Sequence, residues 1–208
     1  MTNGNEHLGA VSAGTDVNWD AEAAAFDDEP DHGMRAPEVR AAWAARLRSW
    51  LPEHSADLLD LGCGTGSLSL LAAEQGHRVT GVDSSPEMAG RARAKLAGHD
   101  AVVLIGDAAT PPVAEERFDV VLVRHVVWAL PDLAGALRRW RRLLRPQGRF
   151  VLVEGVWGTL HPVGIPAARL TALLEPLTAQ VRVERLSGDS LLWGKDVTDE
   201  RYAVVAPV

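Results

Sequence analysis

The sequence predicts an α/β fold in which helices cover both faces of a mostly parallel sheet. From Ala56 onward, short apolar runs alternate with amphipathic stretches, which is typical of repeated βα units. A glycine-rich turn, "GCGTG" (Gly62 to Gly66), follows the first apolar run. The chain has 208 residues, of which 47% are hydrophobic, and this is enough to bury the core of one domain. We therefore expect a single domain over residues 19–208, preceded by a disordered tail at residues 1–18.

The predicted elements follow in chain order. Five apolar runs predict the parallel strands, at residues 57–61, 78–83, 101–107, 118–124 and 149–155. Helices are expected at about residues 66–75, 86–97 and 133–144, because serine and aspartate caps and glycine stops bound them. Beyond residue 155 a helix is expected near 166–174. Two strand-like runs at 180–186 and 200–207 predict an antiparallel pair at the sheet edge, which makes seven strands.

The N-terminal region has a different pattern from the sheet region. Residues 19–51 are expected to be largely helical, because Pro37 suits a first helical turn and an apolar stripe follows it up to Leu51. Pro52 ends that stripe. The stretch "FDDEPDHG" (Phe26 to Gly33) is acidic and rich in turn formers, so the sequence predicts a loop between two helices there.

The composition and the charge indicate which kinds of partner the protein is expected to bind. The net charge of −7 and the pI near 5.5 disfavour nucleic acid and anionic membrane surfaces. One helix face carries several arginines, which we interpret as a solvated face rather than a nucleic-acid patch. The single cysteine, Cys63, suits a reducing compartment, and the N-terminus has no signal-peptide pattern, so we expect a cytoplasmic protein. The sequence leaves open whether it is a monomer or a homodimer.

The glycine turn indicates a ligand class. Glycine permits sharp turns and leaves no Cβ between the backbone and a ligand, and a turn between a strand and a helix presents free N–H groups. Dinucleotide-binding folds use G-x-G-x-x-G, whereas this turn is G-x-G-x-G, with Ser67 where the third dinucleotide glycine would stand. The pattern favours a nucleoside that carries no phosphate.

Four motifs in order extend this prediction. With "LDLGCGTG", "VTGVD", "GDA" and "FDVVLVRHVVWALPD", the sequence resembles the class I S-adenosylmethionine-dependent methyltransferases of the small type-11 group, over about residues 19–205. The resemblance implies a Rossmann-like core at 55–208 under an N-terminal helical lid at 19–54. It also implies S-adenosylmethionine as cofactor, S-adenosylhomocysteine as product, and a small-molecule acceptor methylated on O, N or S.

The resemblance also implies a set of cofactor-binding residues. They are Asp60, Gly62, Cys63, Gly64, Gly66, Asp83, Ser84, Met88, Asp107, Ala108 and Arg124. Asp83 would bind the ribose hydroxyls, since a carboxylate offers two acceptor oxygens to a vicinal diol. Alternatives remain: Asp83 accepts hydrogen bonds from the next helix, Met88 fills the core, Asp107 begins a turn, and Cys63 is a small residue in a tight turn.

The acceptor is expected beyond the carboxyl ends of the fourth and fifth strands. His125 is the candidate base, or else it hydrogen-bonds a loop carbonyl. The candidate acceptor-binding residues, each with a structural alternative, are His32, Trp128, Glu154 and Trp157. The spacing shows no metal-ligand constellation. Two other functions stay open: a cofactor-binding module without transferase activity, and a nicotinamide-dependent oxidoreductase, which the glycine spacing disfavours.

Overall fold

The computed structural model of the protein describes residues 17–158 and 162–208. Most of the predicted disordered tail, up to residue 16, therefore lies outside the described residues. Asn18 is described, and its side-chain oxygen accepts a hydrogen bond from the N–H of Ala21 at the start of the first helix. Across these two ranges no helix combines the length and the apolar character that crossing a bilayer requires.

Five parallel strands form most of the sheet, as the alternating pattern predicts. They are β1 (Asp57–Leu61), β2 (Arg78–Asp83), β3 (Ala101–Ile105), β4 (Phe118–Arg124) and β5 (Leu144–Trp157). Their spatial order is β3-β2-β1-β4-β5, so the direction of strand succession reverses between β1 and β4. Ligands of such sheets bind at this reversal, beyond the carboxyl ends of the strands.

Three further strands extend the sheet, so it has eight strands rather than the seven predicted. They are β6 (Val163–Gly164), β7 (Arg182–Arg185) and β8 (Glu200–Pro207). The predicted antiparallel pair is confirmed, since β8 pairs with both β5 and β7 in antiparallel register. The additional strand is β6, which pairs with the end of β5. Two residues are too few for a periodic pattern, so the sequence does not reveal it.

Helices cover both faces of the sheet. They are α1 (Trp19–Glu22), α2 (Pro30–Gly33), α3 (Pro37–Trp50), α4 (Ser67–Glu74), α5 (Pro86–Lys95), α6 (Leu133–Leu143), α7 (Ala167–Leu174) and α8 (Ser190–Trp193). Alternate residues of β4 enter two separate cores, one with α3, α4 and α8, the other with α6 and α7. This explains why β4 is an uninterrupted apolar run, since both of its faces are buried.

The prediction of a simple loop at residues 26–33 is wrong. Phe26–Asp28 forms a 3₁₀ turn and Pro30–Gly33 forms α2. Asp31 is only 6% exposed, although its acidic surroundings suggested a solvated position. Its burial is compensated by an ion pair with the guanidinium of Arg124, a partner that is remote in the sequence.

Candidate active site

The turn between β1 and α4 has the backbone conformation that its glycines permit. Gly62, Gly64 and Gly66 have φ angles of +69°, +55° and +83°, in the left-handed region that L-residues rarely adopt. A Cβ on Gly62 would lie 2.4 Å from Cγ2 of Val126, and one on Gly66 would lie 3.0 Å from Cβ of Ala92. The turn therefore needs glycine for its conformation and for its close packing.

The carboxylate of Asp83, at the end of β2, is tied to this turn. Its Oδ2 accepts a hydrogen bond of 2.8 Å from the N–H of Gly64, and its Oδ1 accepts one of 2.9 Å from Ser85. Burial raises its pKa above the ordinary value. A carboxylate has about four acceptor positions. Two of them are used here, so Asp83 retains the capacity to accept hydrogen bonds from a diol.

Asp60, two residues before the turn, and Cys63, within the turn, are buried. The Oδ2 of Asp60 accepts a 2.6 Å hydrogen bond from the hydroxyl of Ser69, and burial raises the pKa of Asp60 to about 6. The Cys63 sulfur packs against Gly81, where a Cβ would lie 3.0 Å from it. Burial raises the pKa of Cys63 well above its ordinary value, which favours the thiol over the nucleophilic thiolate.

The predicted adenine-binding residues make local contacts. Met88 is 2% exposed in the first turn of α5, and its N–H donates to the hydroxyl of Ser85, the predicted cap. Ser84 beside it is exposed. The carboxylate of Asp107 accepts from the N–H of Ala109 at 2.8 Å, the pattern of an Asx turn. This exposed turn leaves further acceptor positions of Asp107 open to solvent.

The backbone of Ala108, the residue after Asp107, forms a hydrogen bond with a side chain of α6. Its carbonyl accepts a 2.7 Å hydrogen bond from the indole of Trp140 on α6. This hydrogen bond joins the loop after β3 to α6, and the predicted contact of Ala108 with a base edge stays a prediction.

Residues 19–34 lie directly on the glycine turn. A Cβ on Gly64 would lie 3.4 Å from the Phe26 ring. The carboxylate of Asp27 accepts from the ammonium of Lys95 at 3.0 Å and from the hydroxyl of Thr65. Asp20 likewise accepts from the hydroxyl of Ser85, next to Asp83. This segment therefore covers part of the turn and the start of α5 in the structure.

Arg124, at the end of β4, holds the same segment. It donates to the carbonyl of Asp31 at 2.8 Å and to its carboxylate, and its guanidinium lies 4.6 Å above the ring of Trp43. Burial lowers the pKa of Arg124 from its ordinary value. In this structure the side chain predicted to bind cofactor thus joins β4 to α2.

His125 occupies the centre of an aromatic cluster. Its backbone is left-handed, with a φ of +58°. Its ring centroid lies 4.8 Å from that of Trp157, 6.1 Å from Trp193 and 6.5 Å from His32. Burial, together with the positive charge of Arg124, lowers its pKa well below 6.5. The imidazole is therefore neutral at pH 7 and can accept a hydrogen bond.

Glu154 and Trp128 support the loop that carries His125. The Oε1 of Glu154 accepts from the N–H groups of Val126 at 2.8 Å and Val127 at 2.9 Å. The indole of Trp128 donates to the carbonyl of His125 at 2.8 Å. Burial raises the pKa of Glu154 to about 8, so it carries a proton at pH 7. Glu154 thus holds a loop instead of pairing with an arginine.

Three buried side-chain nitrogen or oxygen atoms in the described ranges have no hydrogen-bond partner. They are Nε of Arg124, Nε2 of His125 and Oε2 of Glu154. All three belong to the ends of β4 and β5, where the sequence predicts the acceptor site. Because an unpaired buried polar group costs stability, their concentration in one corner indicates a binding site.

Sequence reasoning missed several residues of this corner. The sequence predicts a loop at Asp31, and no motif includes Trp193 or Arg201. The guanidinium of Arg201 lies 5.2 Å from the ring of Trp157 and 5.0 Å from that of Trp193. No motif marks these residues, because the contacts arise only when α2 and the C-terminal elements pack against β4.

A parallel sheet with a three-glycine turn after β1, and a carboxylate after β2 bonded to that turn, defines a nucleoside-binding α/β protein. Residues 59–152 match a family described as "Methyltransferase domain". Sequence and fold together show that the chain carries a class I S-adenosylmethionine-dependent methyltransferase domain.

Two curated relatives are O-methyltransferases. The chain is 33% identical over 155 residues to the malonyl-[acyl-carrier protein] O-methyltransferase of Serratia marcescens, covering 74% of this chain and 60% of that protein. It is 35% identical over 146 residues to the nocamycin O-methyltransferase of Saccharothrix syringae, covering 67% and 49%. The chain therefore spans only about half to three-fifths of the length of these relatives.

Solved structures share the fold. The 1,6-didemethyltoxoflavin-N1-methyltransferase of Burkholderia thailandensis, with bound 1,6-didemethyltoxoflavin and S-adenosylhomocysteine, has a TM-score of 0.66 at 22% identity, covering 91% of this chain and 86% of that one. The phosphoethanolamine N-methyltransferase 2 of Haemonchus contortus, in complex with S-adenosyl-L-methionine, has a TM-score of 0.69 at 18% identity, covering 93% and 60%.

The residues at the turn fit the adenosyl cofactor of this class. The turn presents backbone without side chains, Asp83 has two acceptor positions left, and the Asp107 turn is open for a base edge. Phe26 and Asp27, which contact Gly64 and Thr65 of the turn, belong to the N-terminal segment and not to the sheet. The chemistry of the site therefore suits a nucleoside.

Proposed function

We propose that this protein transfers a methyl group from S-adenosylmethionine to an O, N or S atom of a small molecule, with oxygen as the first acceptor to test. The observation that carries the proposal is the 2.8 Å hydrogen bond between the carboxylate of Asp83 and the N–H of Gly64. It joins a diol-binding group to a glycine turn in a chain whose residues 59–152 match a methyltransferase domain. Oxygen comes first because both curated relatives described above are O-methyltransferases.

In this proposal the cofactor is held by the ends of β1, β2 and β3. Asp83 accepts hydrogen bonds from the ribose, and the turn at 62–66 supports the methionine part. Met88 packs on the adenine, and Asp107 with the N–H of Ala108 reads its edge. When bound, S-adenosylmethionine supplies an electrophilic methyl group on a positively charged sulfur.

The chain's own task is to place the acceptor and to take its proton. His125 is suited to both, because its imidazole is neutral and its Nε2 is buried without a partner. Trp157 and His32 form aromatic walls on two sides of the ring. An acceptor hydroxyl that donates to Nε2 satisfies this orphaned atom and is held in one orientation.

The proposal is tested first by cofactor binding. Asp83→Ala removes two hydrogen bonds to a charged group, each worth about 1.5–3 kcal/mol, so the affinity for S-adenosylmethionine falls at least about hundredfold. Calorimetry on the purified full chain measures this. The exposed Asp100→Ala is the matched control and retains wild-type affinity. Equal affinity in both variants would remove Asp83 from the proposed site.

Turnover is tested separately. The protein is incubated with cofactor and a panel of hydroxyl, amine and thiol acceptors, and S-adenosylhomocysteine is followed by mass spectrometry. Formation that depends on one acceptor class supports the proposal and identifies the atom. Binding without turnover across the panel would favour a binding module instead. Thermal stabilisation by NAD rather than by S-adenosylmethionine would favour the oxidoreductase alternative.

A further inference from the structure

Two histidines and one aspartate converge beside the candidate acceptor site. Asp31 and His32 lie on α2, and His125 follows β4, 93 residues further along the chain. One potential ligand atom from each lies within 4.8 Å of the other two. The sequence shows no metal-ligand spacing here because the residues meet only when α2 packs over the sheet.

We propose that Asp31, His32 and His125 form a binding site for a divalent transition-metal ion of the Zn²⁺ type. Two imidazoles and one carboxylate are the donor set that suits Zn²⁺, Co²⁺, Ni²⁺ or Fe²⁺. Ca²⁺ and Mg²⁺ require more oxygen ligands than this cluster offers. Three protein ligands leave at least one coordination position for water or for an acceptor oxygen.

The hydrogen-bond partners of the ligand atoms support this assignment. His125 has its Nε2 buried with no hydrogen-bond partner. The carboxylate of Asp31 accepts a hydrogen bond from Arg124, as ligating carboxylates usually do from a neighbouring group.

Geometry and charge set the strength of the site. Ligand atoms around a tetrahedral Zn²⁺ at about 2.1 Å are about 3.4 Å apart, whereas the ligand atoms here lie within 4.8 Å of one another, so the cluster must contract by up to about 1.4 Å on binding. The positive charge of Arg124 opposes the ion, while its partner Asp31 offsets that charge. We therefore expect weaker binding than in structural zinc sites, whose ligands carry more negative charge.

The ion would connect α2 to the end of β4. It would thereby hold residues 19–34 against the glycine turn, and His125 would act as a ligand instead of taking a proton. Binding of the ion alone does not depend on methyl transfer. The two proposals can therefore fail separately, since metal binding is measured without cofactor and cofactor binding is measured in the presence of a chelator.

The test is a titration of the chelator-treated full chain with Co²⁺, followed by its visible absorption and by calorimetry. His32→Phe removes one ligand but keeps an aromatic ring at this position. The ring centroids of His32 and Phe26 lie 4.4 Å apart in a stacked arrangement, which a phenylalanine ring can keep. His125→Asn removes the second histidine ligand. Asparagine suits this position, where His125 has a φ of +58°, because asparagine tolerates left-handed backbone. His99→Asn, at an exposed histidine, is the matched control.

We expect one Co²⁺ per chain in the wild type and in His99→Asn, with affinity at least about tenfold weaker in both ligand variants. Zn²⁺ should raise the melting temperature of the wild type and the control but not that of the ligand variants. Melting curves without metal check that all variants are folded. The proposal is overturned if the wild type binds no Co²⁺, or if folded ligand variants bind it as tightly as His99→Asn does.

Discussion

Replacing Gly62 by alanine tests how the glycine turn and the His125 loop are fitted together. Gly62 has a φ of +69°, and a Cβ there would lie 2.4 Å from Cγ2 of Val126, the residue after His125. The neighbouring atoms of Val126 stand at 3.4 Å and 3.5 Å, which is tight or ordinary contact. One methyl group of Val126 therefore accounts for nearly all of the clash.

The expected loss of stability has two parts. A left-handed alanine costs about 1–2 kcal/mol, and overpacking a buried contact costs a further ~1–3 kcal/mol. Gly62→Ala should therefore lower the free energy of unfolding by about 2–5 kcal/mol. Gly76→Ala is the matched control, because Gly76 has a φ of +91° and no atom within 4 Å of its Cβ position. It bears only the conformational cost, about 1–2 kcal/mol.

A double-mutant cycle isolates the clash. Val126→Ala removes the offending methyl group, so combining it with Gly62→Ala should restore about 1–3 kcal/mol relative to the sum of the two single losses. Urea denaturation followed by circular dichroism measures each free energy of unfolding. Additive losses, or equal losses for Gly62→Ala and Gly76→Ala, would show that β1 and the His125 loop do not pack as described.

Two further predictions concern the His125 loop. The pKa of Glu154 is raised to about 8 in the folded chain and is about 4.5 when unfolded, so the unfolded state releases the proton first, and stability falls as pH rises from about 4.5 to about 8. Glu154→Gln keeps the carbonyl that accepts from Val126 and Val127 but cannot ionise. Its unfolding free energy should therefore decline less than that of the wild type between pH 5 and pH 8, and parallel profiles in urea denaturation would contradict this. In chelator-treated enzyme, His125→Asn should lower kcat on a hydroxyl acceptor about hundredfold and leave the Kd for cofactor unchanged, whereas an unchanged kcat would show that no proton passes to His125.

The sheet could be predicted from the sequence because its information is local. The predicted bounds of β1, β2, β4 and β8 coincide with the observed ones, since each is an apolar run bounded by turn residues. β5 begins at Leu144, earlier than predicted, because the chain pairs with Phe118 before the turn at 146–148. Backbone pairing of this kind leaves no trace in side-chain periodicity.

The site could be predicted only in part, because some of its residues meet only through contacts between distant segments of the chain. The glycine turn and Asp83 belong to motifs of adjacent residues, and the structure places them in hydrogen-bond contact. Asp31 could not be found, because an acidic residue among acidic neighbours predicts exposure. Only the tertiary contact with Arg124 compensates its burial. The roles of the cofactor- and acceptor-binding residues remain predictions that the binding and turnover experiments address.

Several unusual features meet in the corner at the ends of β4 and β5, although single ones occur elsewhere in the described residues, such as the left-handed backbone of Met34, Glu116 and Gln147. His125 is left-handed without being glycine, Glu154 is buried with a raised pKa, and three buried polar atoms lack partners. Each feature costs stability, and none of them is needed to pack a Rossmann-like sheet. Such costs persist where binding of a ligand recovers them. An acceptor hydroxyl or a metal ion on His125 would satisfy the same orphaned nitrogen, so occupancy of this corner should stabilise the fold as well as enable its chemistry.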